Sequence, residues 1–245
     1  MKIQYKEPYW VKFEWDITEH HDNQYVTAFD KTENTVFKDF LHKDSYILNC
    51  NFKLKKHYKK DEICMIFGKP GKNLGLSYNE SSKVLAFEFW TKSEDGDKFN
   101  MVMSKTVTTK DIENGVIISI VRDVNRISIF KNFEFDNTVE FNGNLVDDYR
   151  DTALFIGCSS PDIESENHRY YCEVDINHLS FISNTNSIEM AKEICENETH
   201  NLPIRKYYED ILFYYDFKTV NNIGIVYDES KYTNFLEKVP TEYIK

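Results

Sequence analysis

The sequence predicts an all-β protein: an antiparallel two-sheet β-sandwich with one short C-terminal helix and a strand-bearing tail. Three observations carry this. Apolar and polar residues alternate over short runs from about Tyr9 to Phe181, turn residues interrupt those runs every few positions, and helical periodicity is almost absent before Ser187. A chain of 245 residues exceeds the commonest domain size, but all-β sandwiches reach this length as one unit. Residues 1–197 are expected to form the sandwich with its terminal helix, and residues 198–245 a connector and tail strand that packs back on it.

The elements follow in order. Val11, Phe13 and Trp15 alternate with Lys12 and Glu14, and Tyr46, Leu48, Cys50, Phe52 and Leu54 alternate with Asn49, Asn51 and Lys53. Each run has one apolar and one polar side, as a half-buried antiparallel strand requires. Glu62 to Phe67 is closed by Gly68-Lys69-Pro70-Gly71, and Leu74 to Tyr78 by Asn79-Glu80-Ser81-Ser82. Val84 to Trp90 puts Leu85, Phe87 and Phe89 on one face and stops at Glu94-Asp95-Gly96-Asp97; Phe99 to Val107 reads as a further strand. Gly115 to Val121 is nearly all apolar and predicts a central strand, which Arg122-Asp123-Val124-Asn125 turns into Arg126 to Phe130.

Phe133 to Phe141, a turn at Asn142-Gly143-Asn144, Ala153 to Cys158 and Tyr170 to Phe181 continue the series. In the last of these Cys172, Val174 and Ile176 are expected inward and Glu173, Asp175 and Asn177 outward. The phase slips near His178, where a bulge would account for it. Asn186 or Ser187 can cap the one helix, with Glu189 placed for a capping box and Ile188, Ala191, Ile194 and Cys195 as its apolar stripe. Asp210 to Phe217 returns to strand character, with Ile211, Phe213, Tyr215 and Phe217 on one face.

Composition removes several function classes. With 41 acidic and 30 basic residues the formal charge is −11, which repels a nucleic-acid backbone. The one basic run, Lys53, Lys55, Lys56, His57, Lys59 and Lys60, reads as a solvated strand end and turn in preference to a patch for nucleic acid or an anionic glycan. Five cysteines without a Cys-x-x-Cys pair suggest neither a disulfide framework nor a zinc knuckle, and fit a reducing compartment. No apolar run approaches the ~18 residues of a membrane span, so a cytoplasmic protein is expected. Phosphate-loop, dinucleotide and nucleophile-elbow motifs are absent.

In order and spacing, several segments resemble the laminin G-like branch of the concanavalin A-like jelly rolls, a superfamily of lectins and glucanases. Gly115 to Asp123 followed by Arg126 to Asn132 is similar to that family's central hairpin, although the family continues with Asn-Gly or Asp-Gly where Asn132 is here followed by Phe133. Ala153-Leu154-Phe155-Ile156-Gly157, then Tyr171 to Phe181, then the helix Ser187 to Asn197, resemble its closing strands and terminal helix. Leu212 to Phe217 with Val226-Tyr227-Asp228-Glu229-Ser230 looks like its opening strand, displaced to the end of the chain. The resemblance implies a carbohydrate ligand and, as in some members of the family, calcium at the rim. The first expectation is a non-catalytic, lectin-like module within a polysaccharide-synthesis or surface-glycan system; a protein partner is an alternative.

Candidate residues follow from the chemistry. A pyranose stacks its apolar side on an aromatic ring while amides and carboxylates meet its hydroxyls. Trp90 and Glu88 project opposite the Leu85-Phe87-Phe89 face and are the first candidates, and Trp10, opposite Val11-Phe13-Trp15, is a third. Were the chain a glycoside hydrolase or polysaccharide lyase, Glu173 and Asp175 would be its carboxylate pair, two positions apart on one strand. His178 stands where the related glucanase pattern has a third Glu. Glu94, Asp95 and Asp97 offer hard oxygen ligands that suit calcium, against the plainer reading of an Asp-Gly turn. His20-His21-Asp22 reads as loop, because adjacent residues on an extended chain point apart.

Overall fold

In the computed structural model, residues 2–6, 10–14, 26–29, 43–57, 63–69, 74–146, 154–157, 172–196, 209–216, 226–227 and 235–238 are described. They form a β-sandwich of two antiparallel sheets. With strands numbered in chain order, the first sheet runs β1 (Lys2–Lys6), β2 (Trp10–Glu14), β14 (Cys172–Ser183), β4 (Ser45–His57), β9 (Val116–Asp123), β10 (Arg126–Lys131) and β11 (Glu134–Glu140). There β15 (Ile211–Asp216) also pairs with β14. The second sheet runs β12 (Asn144–Leu145), β7 (Val84–Ser93), β6 (Leu74–Asn79), β5 (Ile63–Lys69), β13 (Leu154–Ile156), β3 (Val26–Phe29), β17 (Phe235–Lys238) and β16 (Val226–Tyr227), with β8 (Gly96–Met103) on the free side of β7.

Period-two alternation builds the core. Tyr46, Leu48, Cys50 and Phe52 of β4, Ile118 and Ile120 of β9, and Val174, Ile176, Leu179 and Phe181 of β14 face Leu76 and Tyr78 of β6, Leu85, Phe87 and Phe89 of β7 and Val102 of β8, all buried in one cluster. Each such side chain contributes about 1.5–3 kcal/mol by leaving water. The expected bulge is present: the register of β14 against β4 slips between Ile176 and His178. The tail strand departs from its expected alternation. A register shift against β14 between Phe181 and Ile182 sends Leu212, Phe213 and Tyr215 into the main core, while Ile211 and Tyr214 pack with Ile182 and Ile194 on the outer side.

Two helices are described. The C-terminal one, α2 (Ile188–Glu196), is capped by Ser187, whose Oγ accepts from the Met190 N–H at 3.3 Å and donates to Glu189. Ala191 and Ile188 pack on Ile47 and Val121, so the helix covers part of the outer face of the first sheet. The other, α1 (Thr109–Asn114), falls inside a stretch read as free of helix. Its Thr108–Asp111 capping box is complete and Ile112 anchors it in the core.

Asn132 and Phe133 both adopt positive φ, +49° and +67°, as the central residues between Lys131 and Glu134. This is the backbone of a primed two-residue hairpin, formed without the glycine that such turns favour. Phe133 packs against the cluster of Ile47, Val121 and Ala191, a contact that offsets the cost of the left-handed conformation. At Gly143 (φ +88°) a Cβ would meet the Lys92 carbonyl at 2.3 Å, so glycine lets the turn come close enough for Asn144 and Leu145 to pair with Lys92 and Thr91.

One edge of the sandwich is tied by a buried carboxylate. Asp136 of β11 accepts from the Ser104 hydroxyl and from the backbone N–H groups of Lys105 (3.0 Å) and Thr106 (2.9 Å), joining the first sheet to the segment that leaves β8 in the second. Hydrogen bonds to a charged acceptor are worth about 1.5–3 kcal/mol each, and their loss leaves part-buried donors without that acceptor. Asp136→Ala is therefore expected to lower the unfolding free energy by roughly 2–4 kcal/mol in equilibrium urea titrations; a change within experimental error would show that water replaces the clamp.

Candidate functional site

The outer face of the second sheet is where the sequence-predicted ligand residues meet. Leu85, Phe87 and Phe89 point into the core, so Ala86, Glu88 and Trp90 project from the other side of β7. Their register partners on β8 are Met103, Met101 and Phe99 respectively. Phe99, Met101 and Met103 are 39%, 40% and 49% exposed, an unusual density of open apolar side chains on one strand. Trp90 is half-buried and meets Phe99 edge-to-face, with ring centroids 5.4 Å apart. The Trp90 carbonyl accepts from the Val146 N–H at 2.9 Å. That bond fixes the backbone beneath the ring.

On the other flank of β7, Gly75 and Ser77 of β6 lie opposite Glu88 and Ala86. Ser77 and Ala86 are buried, as is Met65 of β5, the register partner of Ser77. An ideal Cβ on Gly75 would come within 2.7 Å of the Met65 Sδ, so the missing side chain gives the thioether its place. The face is thus a ledge. It is closed on the β5–β6 side, open on the β8 side, and Glu88 and Trp90 stand along the step.

Glu88 is the polar centre of this ledge. It is half-buried, and the Ser77 hydroxyl donates to its Oε1. Burial raises its pKa above the ordinary glutamate value, and the Ser77 hydrogen bond only partly counters this by favouring the carboxylate. A carboxyl so placed can accept from a ligand hydroxyl and, when protonated, donate to one.

The other candidates are not brought to this ledge. Trp10 opens β2 in the first sheet, in register with Lys6, and so is separated from Trp90 and Glu88, which belong to the second sheet. Asp175 was expected to point outward to solvent, but it is fully buried, with Lys53 Nζ at 3.6 Å and Lys12 as its register partner on β2. Glu173 is in register with Lys56. A hydrolytic pair needs both carboxylates within reach of the scissile bond, and Asp175 does not have that access. His178 is buried with Nε2 2.8 Å from the Ser180 Oγ and its ring edge-on to Tyr214.

The three acidic residues weighed for calcium lie in an open hairpin. Glu94 and Asp95 form the two-residue turn between Ser93 and Gly96, Asp97 follows in β8, and all three are exposed. Among the described residues no group of three or more His, Cys, Asp or Glu side chains could hold a metal ion. Trp15, His20, His21, Asp22, Lys59 and Lys60 lie outside the described residues. Among the described residues no helix is long and apolar enough to cross a membrane.

Sequence alone missed Phe99, Met101 and Met103 as part of the site. Their alternation with Lys98, Asn100 and Val102 is legible, but assigning their face required knowing that Val102 is the core-facing member.

A proposed carbohydrate-binding protein from Bacteroides ovatus superposes with a TM-score of 0.59 at 12% identity, over 89% of this chain and 58% of that one. The binding domain of botulinum neurotoxin serotype D does so with a TM-score of 0.53 at 11% identity, over 80% of this chain and 45% of that one. The binding domain of botulinum neurotoxin DC, in complex with SialylT, gives 0.51 at 8% identity, over 79% and 43%. The likeness is one of fold, an all-β sandwich. This chain spans about half the length of these structures. No family model matches it, and no curated protein matches its sequence.

The raised pKa of Glu88 has a direct consequence for stability. Below the ordinary value of 4.5 the side chain is neutral in both folded and unfolded states. As pH rises past that value the unfolded chain ionises first, so the folded state loses stability until Glu88 ionises too. Glu88→Gln lacks this titration. The urea midpoint of the wild type is expected to fall relative to Glu88→Gln between pH 4 and pH 7, and a constant difference would mean that Glu88 is fully solvated.

Proposed function

We propose that this chain is a non-catalytic, lectin-like module of the laminin G-like, concanavalin A-like kind that binds a carbohydrate on the outer ledge of its second sheet. Trp90 and Phe99 supply the stacking surface, and Glu88 supplies the polar group for sugar hydroxyls. The observation that carries the reading is this combination: a half-buried Trp beside an exposed Phe, with a recessed carboxyl two register pairs along the same face. Sugar recognition asks for that pairing of a flat apolar surface with an adjacent hydrogen-bonding group. The fold shared with a proposed carbohydrate-binding protein supports it. A cytoplasmic role in polysaccharide synthesis or surface-glycan assembly is part of the proposal.

A protein partner is the second reading, favoured by one observation: Met101 and Met103 extend the exposed strip beyond the aromatic pair. Flexible thioethers suit adaptable protein contacts. Glycan-array binding of the wild type and of Trp90→Ala separates the two. On the carbohydrate reading, a specific signal is expected to weaken about tenfold or more in Trp90→Ala, equivalent to about 1.4 kcal/mol. A wild type that binds no glycan would turn the assignment to a protein ligand.

A further inference from the structure

We propose that the ledge selects uncharged sugar residues and excludes carboxylated or sulfated ones, with Glu88 as the specificity-determining group. This deepens the carbohydrate reading and rests on it. Glu88 lies on the closed side of the step, flanked along its strand by Ala86 and Trp90, with Met101 as its β8 partner and Gly75, beneath Met65, as its β6 partner. Ser77 engages Oε1. A ligand seated on Trp90 and Phe99 meets the remaining carboxyl oxygen at the back of the ledge.

A sugar hydroxyl both donates and accepts, so it is matched to a carboxyl in either protonation state. An anionic substituent in the same place puts two like charges side by side where water is reduced, and the repulsion or the protonation needed to relieve it opposes binding. Desolvation already biases Glu88 toward its neutral form, which favours an uncharged neighbour.

The surrounding charges act in the same direction. At the Trp90 end the exposed hairpin carries Glu94, Asp95 and Asp97 against Lys92 and Lys98. Recognition of a carboxylate or sulfate commonly uses an arginine fork, and among the described residues β5, β6, β7 and β8 contain no arginine. Of the basic run, Lys53, Lys55, Lys56 and His57 lie on β4 in the other sheet, where Lys53 meets Asp175 and Lys56 is in register with Glu173. A net charge of −11 adds long-range repulsion.

The test uses the full chain and matched oligosaccharides: lactose and N-acetyllactosamine against their sialylated and sulfated forms, and xylo- and cello-oligosaccharides against oligogalacturonate. Binding is measured calorimetrically for wild type, Trp90→Ala and the near-isosteric Glu88→Gln, with thermal unfolding to verify that each variant is folded. In at least one pair the neutral member is expected to bind tenfold or more tightly. Glu88→Gln should narrow the ratio of neutral to acidic affinity by threefold or more, whatever it does to neutral binding itself, and Trp90→Ala should lose binding. Equal or tighter binding of the acidic member, abolished in Trp90→Ala, would overturn the selectivity and leave the carbohydrate reading standing. A neutral preference unchanged in Glu88→Gln would remove Glu88 from the role. Failure of every saccharide to bind would defeat the carbohydrate reading itself, and the selectivity with it.

Discussion

Everything in this molecule depends on burying two inner sheet faces against each other. Cys50, Phe52, Ile118, Ile120, Leu179 and Phe181 on one side and Leu76, Leu85, Phe87 and Phe89 on the other form a single apolar layer. Because side chains alternate along a strand, committing those residues inward fixes what every intervening residue does. Glu88 and Trp90 are outside because Phe87 and Phe89 are inside. Asp136 then tethers the two layers at the β8–β11 edge, beside the strip of exposed apolar residues.

The two outer faces have different fates. On the first sheet α2 packs over Ile47, Val121, Ile182 and Tyr214, and even polar positions such as Asn49, Ser119 and Ser180 are fully buried. Asn49 reaches the Ser180 hydroxyl at 3.3 Å, so part of that polarity is satisfied across strands. On the second sheet the face is buried around Met65 and Ser77 but open along β8. An interface between a closed and an open region is where a side chain can be partly desolvated yet still reachable, and Glu88 occupies that position.

Much of the sandwich was legible because its signal is local. The runs Tyr46 to Leu54, Leu74 to Tyr78, Val84 to Trp90 and Gly115 to Phe130 declare their strands and faces without reference to anything distant. The bulge near His178 was legible for the same reason, as a break of phase within one segment. The helix α1 escaped because six residues are too few to show a period, although Thr108 and Asp111 carried a capping signal. Asp175 escaped for a different reason: alternation says which sheet face a residue takes but not whether something lies on that face. The recess of Glu88 depends equally on distant partners, namely a glycine on the next strand and a methionine on the one beyond.

The strand pairings also bear on how the molecule comes into being. Val26–Phe29 pairs with Phe235–Lys238, and the β14 strand waits for Ile211–Asp216 on the same side as Trp10–Glu14. Partners separated by roughly two hundred residues can find each other only after a costly loop has closed. During synthesis the early strands must therefore persist with unpaired edges until the ribosome has delivered Phe235–Lys238, which makes assembly slow and gives chaperones a defined interval in which to act.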